Sequence, residues 1–197
     1  TGPTPRFVTS IDAQTASKAL SIAIRVGTAI MDSLTALASA LEVADHESLV
    51  SSDTALTTLS GTRISRVNIH AEASVLLEKI DTLVAANTFH NSNFISSTSG
   101  NIFIQTSRYG GGVEIVPQPL DAEGLGLSDL SLLSAVEIDR GIAAVSEALF
   151  RVGSRVSNLE VLQRNLGQLD APGQALSRAI AHGGNTLPRG SLVDLVG

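Results

Sequence analysis

From Ile138 to Leu166 the chain reads IDRGIAAVSEALFRVGSRVSNLEVLQRNL. Ile138, Ile142, Val145, Leu149, Val152, Val156, Leu159 and Leu166 step through it by alternating fours and threes, with Gln163 in the one polar slot. That is a heptad seam, which lets one long helix bury a narrow stripe against another. No proline falls between Ser131 and Ala171, so the spacing predicts a single helix over about 131–170. A stripe of that length describes a rod and not the wall of a pocket.

Composition agrees with close helix packing. Of 197 residues, 43% are apolar, yet there is no Trp, one Tyr and five Phe. A core built from Leu, Val, Ile and Ala suits helices at short range better than a globule around aromatic anchors. Net charge is −6, with 13 Lys and Arg against 19 acids and no basic cluster, which argues against nucleic acid as a partner. With no cysteine, disulfides, thiolate metal sites and Cys nucleophiles are excluded. No continuous apolar run reaches the ~20 residues that cross a bilayer, so membrane insertion is not expected. Thr1 to Thr9 holds two prolines and no apolar stretch of the secretory kind.

Outward from the seam, two more helices are expected. One covers about 10–41, capped by Ser10 with Asp12 in its first turn, along Leu20, Ile24, Gly27, Met31, Leu34, Ala38 and Leu41. Residues 42–52 are polar and read as a loop. The next helix covers about 52–86, capped by Ser52 or Asp53, with Ile69, Ala73, Leu76, Ile80 and Leu83 as its stripe and a weak point at Gly61. A short link makes the two an antiparallel hairpin. The texture then turns to Asn and Ser. Ile102 and Ile104 alternate with Phe103 and Gln105, Gly110-Gly111-Gly112 supplies a turn, and Val113 to Val116 alternates again, giving a β-hairpin region over about 95–117. A loop through Leu125-Gly126-Leu127 leads to the long helix. Ala171-Pro172-Gly173 ends or kinks it, and a short helix over about 174–182 follows. The expected class is mainly α, an elongated bundle of long antiparallel helices with a small β-hairpin, in one domain over 1–197.

His46, His70, His90 and His182 stand far apart with no His-Glu-x-x-His spacing. His46 between Asp45 and Glu47 reads better as a solvated loop than as a weak metal site. The glycine run lacks the Lys-Ser/Thr and strand-to-helix setting of a phosphate loop. No Gly-x-Ser-x-Gly elbow exists. Asp53, Asp81 and Asp139 fit caps, helix-end charges or subunit contacts better than catalytic acids. No catalytic residue, cofactor or metal is expected, and the chain is not read as an enzyme.

The order of elements and certain residues resemble bacterial flagellin. Ile80-Asp81-Thr82-Leu83 through Asn87-Thr88-Phe89-His90-Asn91 resembles that family's helix end, Ile-Asp, a spacer, then Thr-x-Phe-Asn-Gly. Asn93-Phe94-Ile95 is similar to its Asn-Leu-Leu stretch, and Ile102-Phe103-Ile104-Gln105-Thr106 to its x-Ile-Gln-Val/Thr-Gly strand. Leu125-Gly126-Leu127 and the run Ala135-Val136-Glu137-Ile138-Asp139 to Val145, then Arg151, Gly153 and Asn158, continue the likeness. It covers about residues 10–170 and rests on order and spacing more than on any one motif.

The resemblance implies the family's core domain, called D1, in a secreted, extracellular subunit of the bacterial flagellum. Such subunits self-assemble into a helical propeller for swimming. It implies other subunits of the family as partners and an export chaperone. A hook–filament junction protein, or a secreted flagellin-like adhesin or helical adaptor, is the alternative. The family's terminal filament-core helices have no counterpart at the N-terminus or after Leu169, which reads as a core fragment. His90 and Asn91 depart from the family's Asn-Gly, altering that turn. The segment from Ser33 to Ala38 lacks the Arg that an animal Toll-like receptor recognises in many flagellins, so weak activation is expected. Candidates for subunit contact are Arg140, Arg151, Arg155 and Arg164, recurring along the long helix, with Phe89 and Asn91 at the turn. The plainer reading of the arginines is a solvated face.

Overall fold

The structure is a computed structural model that describes residues 9–47, 56–57, 63–64, 66–106 and 111–183. Its frame is an antiparallel pair of long helices, α1 (Ala13–Glu47) and α4 (Ala135–Gly183). At 1.5 Å per residue they run about 52 and 74 Å. Their direction follows from which residues meet. Ser21 bonds Gln163, Gly27 lies against Val156, and Gly141 lies toward Leu41.

The α4 column Ile138, Val145, Val152, Leu159 and Leu166 is buried throughout. The alternate column sits one residue away from the expected one over its first half. Gly141 and Ala148 are buried, whereas Ile142 and Leu149 are half-buried. In α1, Leu20, Gly27, Leu34 and Leu41 face inward as expected. Their companions, however, are Ala16, Ala23, Ile30, Leu37 and Ala44, and not Ile24, Met31 and Ala38. Small residues therefore occupy much of the line of closest approach. Side chains no larger than a methyl group there let the helix axes draw together, and larger neighbours pack at the flanks. Gln163 Nε2 donates to Ser21 Oγ at 2.5 Å, so the polar slot in the seam has a polar partner across it.

Several element boundaries differ from expectation. Residues Thr9–Asp12 form strand β1, and the first helix begins only at Ala13. Asp12, not Ser10, is the cap. Its carboxylate accepts the Thr15 backbone N–H at 2.8 Å and the Thr15 hydroxyl at 2.6 Å. The hydroxyl's hydrogen bond holds its pKa below the usual carboxylate range. The helix continues through His46 to Glu47, where a loop was expected. The second helix, α2, spans Arg66–Ala86 and starts later than residue 52. Two short strands, β2 (Leu56–Thr57) and β3 (Arg63–Ile64), pair antiparallel before it. Ser52, Asp53 and Gly61 lie outside the described residues. Ile69, Ala73, Ile80 and Val84 form the buried line of α2.

The hairpin strands are β4 (Ile102–Gln105) and β5 (Gly112–Ile115), closed by a bond from Thr106 N–H to Gly111 O at 2.8 Å. Gly110 is outside the described residues. The hairpin belongs to a three-stranded sheet, order β1-β4-β5, in which β1 runs parallel to β4 with Thr9 opposite Ile102. Ile11, Ile102 and Ile104 point into the core. A short helix α3 (Ala122–Leu125) replaces the expected loop. Asp121 caps its start, and Gly126, at φ 77°, closes its end.

The long helix starts at Ala135 with a capping box. Ser134 Oγ accepts the Glu137 N–H, and the Glu137 carboxylate accepts the Leu133 N–H. Hydrogen bonding, chiefly from Ser134, lowers the Glu137 pKa. At the other end the helix runs through Pro172 to Gly183 in place of a stop and a second short helix. Proline leaves the Gln168 carbonyl without its helical donor, but good helix formers on both sides carry the helix past one lost bond.

Ala13–Ala44 is long and apolar enough, by length and composition, to cross a membrane. It holds no continuous apolar run, because Ser, Thr and Gly punctuate its Leu, Ile and Ala. Its inward face packs on α4.

Candidate assembly surfaces

The sequence-marked residues fall into three settings. The first is a strap. Segment 117–127 leaves the sheet, crosses beside residues 94–97 and returns toward α4. Gln118 N–H donates to Phe94 O and Leu120 N–H to Ile95 O, both at 2.7 Å. Asp121 Oδ2 accepts the Ser97 N–H at 2.6 Å, while Oδ1 accepts the Gly124 N–H. Asp81, at the end of α2, accepts the Ala122 N–H at 2.7 Å.

Arg151 and Arg155 pin this strap to α4. Arg155 Nη1 donates to the carbonyls of Pro119 and Gly124, the latter at 2.8 Å. Burial pushes its pKa down. The Arg151 charge adds to this, and Asp121 opposes it. Arg151 Nη1 donates to Leu125 O at 3.2 Å, and its other nitrogen pairs with Glu147 at 2.5 Å. Their hydrogen bonds here are internal to the chain, and a solvated face does not describe them.

The second setting is the turn after α2. Phe89 and Ser92 exchange backbone bonds at 2.8 and 2.9 Å around His90 and Asn91, whose φ values are 49° and 61°. Both central residues at positive φ is the pattern of a type I′ turn, which Asn-Gly fits best. Phe89 is half-buried and meets the His90 ring edge-on at 4.9 Å. Asn91 is exposed, and its carbonyl accepts the Thr9 hydroxyl at 3.3 Å. Just beyond, buried Asn93 closes the helix end. Its Nδ2 donates to Val84 O at 2.7 Å and its Oδ1 accepts the Ile95 N–H at 3.0 Å.

The turn carries a prediction. Replacing His90-Asn91 by Asn-Gly removes two Cβ atoms' worth of left-handed strain only in part, since Asn keeps its own. The pair change is still expected to stabilise by about 0.5–1 kcal/mol, or ~1–4 °C in Tm. Thermal unfolding by circular dichroism checks it. An unchanged or lowered Tm would show that His90 contributes more through Phe89 than its backbone costs.

The third setting is open surface. Arg140 and Arg164 are exposed and, among the described residues, make no hydrogen bond or ion pair. Phe150, which the seam pattern leaves on the outer face, is 79% exposed. Near Arg140 a shallow cavity of about 230 Å³ opens between residues 126–131 and the first turns of α4.

Long antiparallel helices, a strap and a small sheet define a mainly α, flagellin-like fold, which comparison with solved structures supports. The chain matches the crystal structure of Bacillus cereus flagellin with a TM-score of 0.62, over 86% of this chain and 93% of that one, at 16% sequence identity. No protein-family model and no curated protein sequence matches the chain.

Proposed function

We propose that the chain is the core domain of a flagellar filament subunit, a structural protein exported to the cell exterior and not an enzyme. The observation that carries this reading is the flagellin fold shared along nearly the whole of both chains. In this reading copies stack by heterologous, non-closing contacts, which generate a helical polymer, and the long helices transmit torque along it. The partners are further subunits of the same kind, with an export chaperone before assembly. Because the inner face of α1 is occupied by α4, we assign α1 to the bundle and not to a membrane. Arg140 and Arg164, exposed on α4, are assigned to pairing with acids of a neighbouring subunit, fixing lateral register. Arg151, Arg155, Phe89 and Asn91 shape the surface from behind by holding the strap and the turn.

Immunogold electron microscopy of the source cells, with antibody raised against this chain, tests the reading. Label is expected along the length of extracellular helical filaments. Label only where filament meets hook would select the junction protein instead. Label over the cell body with bare filaments would reject both in favour of an adhesin or adaptor.

A further inference from the structure

We propose that Phe150 of one copy docks in the cavity beside Arg140 of another, a contact that rests on the filament reading and gives it a specific joint. Phe150 is the most exposed large apolar side chain among the described residues. The other described phenylalanines are half-buried or buried, with Phe94 in the core. A phenyl ring left in water on a helix face forgoes its apolar burial.

The receiving site is on the same molecule. Its walls include Leu130, Ser131, Gly141 and Ala144, and its volume is about 230 Å³. A cavity of roughly 150 Å³ is enough for a benzene molecule. Arg140 borders it with a guanidinium that has no partner among the described residues. A cation over an aromatic face is favourable, and more so once water is excluded.

Phe150 cannot fill its own cavity. It lies six residues beyond Ala144 and ten beyond Arg140 on one helix, about 9–15 Å along the axis. It also points away from them, because ten residues at 3.6 per turn rotate the side chain well off the face that carries Arg140. Only the ring of a second copy can enter. Donor and acceptor patches are then different surfaces, so each copy keeps one of each free for the next, the heterologous geometry from which rings and filaments are built and symmetric dimers are not.

The absence of cysteine makes the joint directly testable. Ser154→Cys, one turn from Phe150, and Asp129→Cys, on the cavity rim, are placed in separate full-length chains. The two are mixed at high concentration with a short bis-maleimide. The expected product is the mixed dimer, several-fold above either homodimer. Adding Phe150→Ala to the Ser154→Cys chain is expected to reduce it about tenfold, the size of a truncated aromatic anchor. Arg140→Ala in the Asp129→Cys chain should reduce it by a smaller factor. Unaltered thermal unfolding of each variant confirms folding, as the exposure of Phe150 and Arg140 leads one to expect.

A Ser154→Cys homodimer in excess would mean that the outer faces meet symmetrically, and the proposal falls. No cross-link, or one indifferent to Phe150→Ala, overturns it as well. Immunogold label along filaments combined with failed trapping would leave the filament reading standing and remove only this joint. Trapping without filament label would do the reverse.

Discussion

Gly27→Leu is expected to lower the unfolding temperature by roughly 6–12 °C, taking ~3 kcal/mol for overpacking and ~2–4 °C per kcal/mol at this size. A Cβ at Gly27 would stand 2.4 Å from Val156 Cγ2 and 3.0 Å from Leu120 Cδ1. Real carbon contacts do not approach that closely, so something must move. Val156 is poorly suited to yield, because a β-branched side chain in a helix holds essentially one χ1 rotamer. Leu120, a residue of the strap itself, is fully buried. The strain therefore reaches α1, α4 and the strap together. Gly27→Ala is a gentler probe. It meets the same contact but gains about 1 kcal/mol of helix propensity, and its net effect should be small and destabilising. Pairing Gly27→Ala with Val156→Ala should recover much of the loss, and a double-mutant cycle reads the coupling directly. Gly153 and Gly167 serve as controls. A Cβ at either meets nothing within 4 Å, so Ala at these positions should stabilise by about 0.5–1 kcal/mol. If all three glycines responded alike, the close approach of α1 and α4 would not be what Gly27 permits.

That contrast explains what could be read in advance. The column from Ile138 to Leu166 was legible because it is large and regular. Its neighbour was misplaced by one residue because hydrophobic periodicity favours the bigger side chain, Ile142 over Gly141 and Leu149 over Ala148. Close packing favours the smaller. The same bias chose Ile24 and Met31 over Ala23 and Ile30 in α1, although Ile30 shows that size alone does not decide. Strand β1 was hidden for another reason. Thr9 to Asp12 pairs in parallel with residues more than ninety positions away, and four residues carry too little alternation to announce that. Leu56–Thr57 and Arg63–Ile64 are too short to show a strand period, and only Gly61 between them interrupts a helical pattern. Pro172 reads as a breaker, yet a single lost bond does not stop a helix flanked by good helix formers. The turn at His90-Asn91 was readable, since its departure from Asn-Gly marks where positive φ is needed. The recurrence of the arginines is visible in the sequence, but the carbonyl partners of Arg151 and Arg155 are not, since no side-chain pattern records a backbone acceptor. Asp121 and Gly126 did leave a signal, an acid before a short run and a glycine after it.

Arg155→Ala should be the most costly of the charge changes, at about 2–3 kcal/mol, or ~4–12 °C in Tm. The loss does not come from an ion pair, since Arg155 makes no salt bridge among the described residues. It comes from the carbonyls of Pro119 and Gly124, which face a partly buried guanidinium and would lose their charged donor. Arg155→Lys keeps the charge but not the planar fork, so it should restore less than half of the loss. Arg151→Ala removes one carbonyl contact and a pair whose two side chains are 39% and 62% exposed, and should cost no more than about 1 kcal/mol. The two effects also differ in place. Hydrogen exchange in Arg155→Ala should rise at the N–H groups of Gln118 and Leu120, which bond Phe94 and Ile95, and at Ser97, which bonds Asp121. The middle of the α1–α4 seam should keep its protection. High salt should change the Arg155→Ala difference little, because direct hydrogen bonds and not long-range charge carry it. Equal losses for Arg151→Ala and Arg155→Ala, both removed by salt, would return the pair to an ordinary solvated face. A strap released without global unfolding would instead identify Arg155 as the residue that holds segment 117–127 against α4.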